Sequence, residues 1–235
     1  MRISPWFAKT RSRREGGRGP MMLGVRDHIQ ESSRADILEA AADCFTERGY
    51  TETSIDDIAR SLGATKGRIY HHFRSKADIF AELFRVGMEM NYAAIEPYRA
   101  LSGRAATRWR HMAFAHVLQM IVTRSFQRTV WMGVKMHLRG ATTPEQRSVF
   151  AELITYRTEY GNVFREAILT ARDEGDFDFD NPSIANQLMF TTLNSPIFWY
   201  APRVGETRAD IEELARQVVT CAWRGLGGKD EQRKT

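Results

Sequence analysis

From residue 33 onward, apolar residues recur at intervals of three and four, the spacing of helices and not the alternation of strands. Ile37, Ala41, Cys44 and Phe45 form one such stripe. Ser33, with Asp36 three residues on, has the chemistry of an N-cap, and Gly49 followed by apolar Tyr50 that of a C-terminus. A second, short helix opens at Thr53 or Ser54 with Asp56 and Asp57 behind them. It presents Ile55, Ile58, Ala59 and Leu62 to a core before Gly63 breaks it. Thr65 can cap a third helix running to about Phe73. Ser75 with Asp78 opens a longer fourth carrying Ile79, Leu83, Val86 and Met90. Further helices are expected over 104–123, 126–139, 144–174, 183–200 and 208–225, with Pro144 suited to a first turn and 175–180 a loop. Pro196 removes a backbone hydrogen bond inside an apolar helix and should kink it.

Composition changes this picture little. The 235 residues are 43% hydrophobic and 27% charged, ordinary for one or two globular domains. There is neither the run of about 20 apolar residues needed to span a bilayer nor the apolar core of a secretory signal, so a cytoplasmic protein without a membrane partner is expected. Cys44 and Cys221 lie far apart, with no second Cys or His at ligand spacing, and suggest neither metal nor redox chemistry; no cofactor is expected.

Charge is more informative by position. Between Met1 and Gln30 lie Arg2, Lys9, Arg11, Arg13, Arg14, Arg18 and Arg26 against Glu15 and Asp27, a surplus that equals the whole formal charge of +5. The rest of the chain is neutral, so the high pI belongs to a tail expected to be disordered, solvated or touching phosphates as a flexible arm. Met21 and Met22 offer an alternative translation start that would omit its most basic part.

Two short helices around a glycine-containing turn are the skeleton of a helix-turn-helix. On the third helix Ile69 and Phe73 point one way, toward Leu62 and the first helix. Lys66, Gly67, Tyr70, His71 and Arg74 point the other. From Thr65 to Lys76 the chain holds Lys66, Arg68, Arg74 and Lys76 with no acid, so the outer face carries positive potential. Lysine and arginine can neutralise phosphates or reach guanine, tyrosine and histidine can meet base edges, and Gly67 lets the backbone approach. The spacing alone fits a helical hairpin with a solvated charged face equally well.

The run Thr53-Ser54-Ile55-Asp56-Asp57-Ile58-Ala59, then 62–73 as Leu-Gly-Ala-Thr-Lys-Gly-Arg-Ile-Tyr-His-His-Phe, then Ser75-Lys76 and Phe80, closely resembles the TetR family of regulators. The likeness covers roughly 33–84 and includes the Phe-x-x-x-Gly-Tyr ending at Phe45 to Tyr50. It implies an all-α protein of about nine helices. A three-helix helix-turn-helix domain at 31–77 follows the tail at 1–30. A larger C-terminal domain at 78–228, for ligand binding and dimerisation, precedes a short tail at 229–235. Carried over by position, DNA contacts fall on Thr53, Ser54, Thr65, Lys66, Gly67, Tyr70 and His71, with Lys76 as a phosphate-binding lysine. The partner implied is a double-stranded, palindromic operator bound by a homodimer, with repression the family's usual mode. His71 beside His72 departs from the family's commoner aromatic pair.

The segment from Tyr156 through Phe164 and 171–175 to Phe198-Trp199-Tyr200 is loosely similar to the branch of the family that represses fatty-acid or steroid catabolism and responds to acyl-CoA thioesters. It implies a hydrophobic effector, an acyl-CoA or another hydrophobic acid. Trp109, Phe114, Trp131, Met132, Phe164 and Phe198 are candidate walls; Lys135, His137, Arg139 and Asn194 are candidate polar anchors. For each aromatic, ordinary core packing is the commoner explanation. The last two helices are expected to form the dimer, with Ile211, Leu214, Val218 and Ala222 as the stripe to be covered. No phosphate-cradling glycine loop and no nucleophile elbow occurs, and His111 and His116, five apart, fall on different helix faces; the pattern points away from an enzyme. A helical ligand-binding protein without DNA-binding activity is the alternative.

Overall fold

The computed structural model describes residues 21–139 and 144–228, the side chains of 21–32, 137–139 and 144–146 excepted. The basic run at 1–20, the tail at 229–235 and the side chains of His137 and Arg139 lie outside the described residues, and Met1–Ala35 and Asp36–Thr235 are separate compact units. Of the first unit, 21–35 is helical and begins α1 (Met21–Arg48). Ser33 is therefore not a cap, and 21–30 is helix where tail was expected. No proline interrupts the run before it, and serine inside a helix costs well under ~1 kcal/mol relative to alanine, too little to stop it.

Asp36–Thr235 is all-α among its described residues. α1 ends as expected at Gly49, whose φ of +87° is the left-handed conformation that closes a helix. Ser54 is the N-cap of α2 (Ile55–Ser61): its hydroxyl accepts from the Asp57 amide while the Asp57 carboxylate accepts from the Ser54 amide. Gly63, at φ +63°, makes the turn into α3 (Lys66–His72). α4 (Lys76–Arg99) starts at Ser75, which accepts from the Asp78 amide. Its stripe of Ile79, Leu83, Val86 and Met90 is buried. The domain boundary expected after residue 77 thus falls in the first turn of one continuous helix.

The body comprises α5 (Ala105–Val122), α6 (Arg124–Arg139), α7 (Pro144–Asp173), α8 (Pro182–Asn194), α9 (Pro196–Trp199) and α10 (Arg208–Gly225). α4 packs on α5, α6 and α7, and α10 packs on α5 and α8. Gly133 lets α6 approach α4, since a Cβ there would lie 2.6 Å from the Phe84 ring. Pro196 splits the expected helix over 183–200 into α8 and the single turn α9. The carbonyls at the end of α9 find donors on α6: Arg128 Nε reaches Ile197 O at 2.5 Å, and Arg124 donates to Tyr200 O.

Candidate nucleic-acid interface and effector cavity

α3 is fixed by its inner face. Ile58 and Ile69 are fully buried and Phe73 nearly so, and burying each such side chain stabilises by ~1.5–3 kcal/mol. With that face locked, Thr65, Lys66, Gly67, Tyr70 and His71 lie exposed, Tyr70 at 53% of its surface. Ser54 is exposed as well, and its hydroxyl donates to Asp57 Oδ2 at 2.6 Å. Those hydrogen bonds from Ser54, with Arg48 and Arg60 nearby, pull the Asp57 carboxyl down to about 2. The positive potential expected of this face is offset by acids the fold brings in. Lys66 Nζ lies 2.6 Å from Asp56 and Arg68 3.3 Å from Asp36. Both pairs are exposed, so exchanging the carboxylate for a phosphate costs ~0–1 kcal/mol.

Two of the expected DNA contacts, Thr53 and Lys76, are engaged within the protein. Thr53 is 1% exposed, and its hydroxyl donates to Gly49 O at 2.7 Å and Cys44 O at 3.1 Å, closing the end of α1. Lys76 donates to Tyr50 O and Thr53 O, both at 2.7 Å, and to Thr51 O at 3.3 Å, and it stands 4.5 Å above the Tyr50 ring. Its ammonium clips the loop after α1 to the head of α4. Burial among those groups pushes its pKa down.

In the body, a cavity of about 230 Å³ is lined by residues of α4, α5, α6, α7, α8 and α9. Met88, Met120, Val130, Trp131, Phe190 and Ile197 give it apolar walls. Its polar lining is extensive: Asn91, His116, Gln127, Arg157, Tyr160, Asn186 and Asn194 among others. His116 is 2% exposed; Nε2 lies 2.9 Å from Asn194 Oδ1 and Nδ1 2.8 Å from the Tyr160 hydroxyl. Burial holds the imidazole at about 4, so it is neutral at physiological pH. It then carries its proton on Nε2 for the asparagine oxygen and accepts from Tyr160 at Nδ1.

Of the candidate effector residues, Trp131 and Asn194 line this cavity. Trp109 is instead core: fully buried, with Nε1 3.1 Å from Met189 Sδ and its ring against Phe177 and Trp223. Phe164 is fully buried behind the wall, against Phe190 and His116. Phe198 is 52% exposed and packs edge-on to Trp131; Phe114, Met132 and Lys135 do not line the cavity. Helical spacing identifies a face and not what lies beneath it. Val218 and Ala222 are buried by the chain's own packing, while Ile211 and Leu214 are half-exposed. α8 carries the unexpected apolar surface, Ile184 at 58% and Leu188 at 62% exposed.

Residues 37–83 match the family described as bacterial regulatory proteins, tetR family, and 102–226 match the tetracyclin repressor-like C-terminal domain. The chain belongs to the TetR family. It is a transcriptional regulator of that family, similar to the transcriptional repressor KstR2 of Mycolicibacterium smegmatis, 43% identical over 83% of this chain and 91% of that one. A match to the regulator AcrR of Shigella flexneri, at 28% identity, spans 60% of this chain and only 55% of that protein. Among solved structures, the TetR regulator PfmR of Thermus thermophilus superposes with a TM-score of 0.66 at 29% identity, over 83% of this chain and 99% of that one. AibR, solved with isovaleryl coenzyme A and operator DNA, shares the fold with a TM-score of 0.65 at 21% identity, over 84% of this chain and 100% of that one.

Sequence reasoning missed the polar half of the TetR-type cavity. His116 makes no metal pair with His111, so its spacing gives no sign of a role. Arg157 and Tyr160, three apart among polar neighbours on α7, look like ordinary helix surface. The one signal present was that Asn91, His116 and Gln127 interrupt otherwise apolar stripes, which a buried helix tolerates only when they are partnered.

Proposed function

We propose that the chain represses transcription by binding a palindromic operator as a homodimer, and is released from it by a small hydrophobic effector, an apolar acid or its CoA thioester. The role is regulatory, not catalytic. The observation that carries this is the outer face of α3: Lys66, Gly67, Tyr70 and His71 stand exposed on a helix whose inner residues Ile69 and Phe73 are buried. Two such helices in a dimer, about 34 Å apart, reach successive major grooves on one side of the duplex. The exposed Ile184 and Leu188 of α8, with half-exposed Ile211 and Leu214 of α10, support the dimer face. Similarity to the M. smegmatis repressor supports repression, and the AibR complex with isovaleryl coenzyme A and operator DNA supports an acyl-CoA effector. α4 is suited to couple the sites, since it carries Lys76 at its head and Met88 and Asn91 on the cavity wall. An effector that favours the wider or narrower spacing of the reading heads weakens both contacts together.

The test is an electrophoretic shift with the DNA upstream of the protein's own gene, at two salt concentrations. Binding is expected to weaken steeply with salt, and Lys66→Ala with Tyr70→Ala to cost at least about 1,000-fold, from ~1–3 kcal/mol for each of the dimer's four contacts. Unchanged affinity in the double variant refutes the interface. Absence of any salt-sensitive shift favours a helical ligand-binding protein that does not engage DNA.

A further inference from the structure

We infer that the effector is an apolar carboxylic acid whose carboxylate is held by Arg157 inside the cavity. This rests on the reading of that cavity as the effector site. Arg157, on α7, is half-buried, lines the cavity and forms no hydrogen bond or ion pair among the described residues. Burial alone lowers its pKa; no carboxylate among those residues stands near enough to oppose that. It is the only charged side chain in the described lining, which includes no Asp or Glu. Guanidinium donors turned into a partly buried cavity are costly unless an acceptor meets them, and a planar carboxylate matches their fork. A phosphate, with a second charge and a third oxygen, would find no second cation in that lining.

The neighbouring polar groups are already oriented. Gln127 Nε2 donates to Gly87 O and Thr123 Oγ1, so Gln127 Oε1 must accept, and it does so from Asn91 Nδ2 at 2.9 Å. That fixes Asn91, 3% exposed, with its Oδ1 buried and accepting nothing. Asn186 Oδ1, also in the lining, is buried without a donor. The Nε2 proton of His116 fixes Asn194 with its oxygen toward the ring and its amide hydrogens available to the same carboxylate. At about 230 Å³ the cavity is below the ~300–1,000 Å³ of sites that enclose a drug-sized molecule, so no coenzyme A is contained in it. The carboxylate therefore belongs either to a free acid or to the far end of a dicarboxylic acyl chain whose thioester lies outside.

The experiment is isothermal titration of the full chain, without DNA, against medium-chain acids, their hydroxylated counterparts, their alcohols, and the CoA thioesters of the mono- and dicarboxylic acids. Acids are expected to bind about 30-fold tighter than the matching alcohols, with or without an added hydroxyl. Arg157→Met should abolish the acid preference and Arg157→Lys restore part of it, which a merely misfolded variant would not do. Thioesters of monocarboxylic acids should bind no better than alcohols. A half-thioester of a dicarboxylic acid that binds like the free acids assigns the carboxylate to the acyl terminus. Equal binding of acids and alcohols, no binding of any acid, or an acid preference that survives in Arg157→Met overturns the inference. An acid that binds through Arg157 yet leaves the DNA shift unchanged keeps this site and refutes the induction reading instead.

Discussion

Replacing Lys76 by Met separates two roles that a lysine at the head of α4 can have. Its ammonium touches three main-chain carbonyls, of Tyr50, Thr51 and Thr53, and stands over the Tyr50 ring. A charge-assisted hydrogen bond is worth ~1.5–3 kcal/mol and an exposed cation–π contact ~0.5–1. Because the site is partly solvated and water can reach the carbonyls, the loss is on the order of 2 kcal/mol, not their sum. For a body of this size that is ~4–8 °C in Tm. Affinity for the operator should fall as the loop after α1 loosens, but the dependence of log affinity on log salt should not change. A lysine that neutralises a phosphate behaves in the opposite way. Each one lost lowers that slope by about 0.9, hence by about two for the dimer's pair, with little effect on Tm. Denaturation scans and gel shifts at several salt concentrations read both quantities. A Lys76→Met protein with unchanged Tm and a shallower salt slope would refute the clip.

His116 makes the fold sensitive to mild acid. Its folded pKa is about 4 against about 6.5 unfolded, so between those values the unfolded chain binds a proton that the folded one refuses, and stability is lost as pH falls. Urea midpoints should show about 2 kcal/mol lost between about pH 7 and about pH 5, a dependence that His116→Phe should largely remove even if that variant is weaker throughout. Gly133→Ala places a Cβ 2.6 Å from the Phe84 ring and should cost ~1–3 kcal/mol by forcing α6 off α4, measured by thermal denaturation; an unchanged Tm would show that the two helices can separate freely.

Much of this was legible in residue order. Caps at Ser54 and Ser75, the stops at Gly49 and Gly63 and the break at Pro196 are local chemistry, and each lies where its residue type requires. The outer face of α3 was legible for the same reason, since burying Ile69 and Phe73 turns Gly67 and His71 outward with Tyr70 at their side. What was not legible depended on contacts between separate helices and turns. Thr53 looks like a polar residue at a helix start, but the end of α1 supplies acceptors that draw it inward. Lys66 looks like an unopposed cation until the fold places Asp56 beside it. Trp109 looks like a cavity wall, yet α8 and α10 cover it with Met189 and Trp223. The cavity itself is made by single polar residues from separate helices, so nothing in any one helix announces it.

That distribution bears on how a ligand here can act at the DNA. Met88 and Asn91 are on the cavity wall and Lys76 at the head of the same helix, so the fifteen residues between Lys76 and Asn91 span about 22 Å of α-helix. Along that length α4 is pressed against α6 at Gly87 and Gly133, where there is no room for a methyl group, let alone lateral give. A close-packed contact of this kind resists compression but allows pivoting or sliding. A ligand pressing on Met88 or Asn91 would act on α4 on the cavity side of that contact. The opposite end of the lever is the Lys76 clip, which holds the loop leading into Ser54 and α2. A displacement at Asn91 would then reach the reading head by pivoting or sliding of α4 at the glycine contact, since compression is the one response that contact resists.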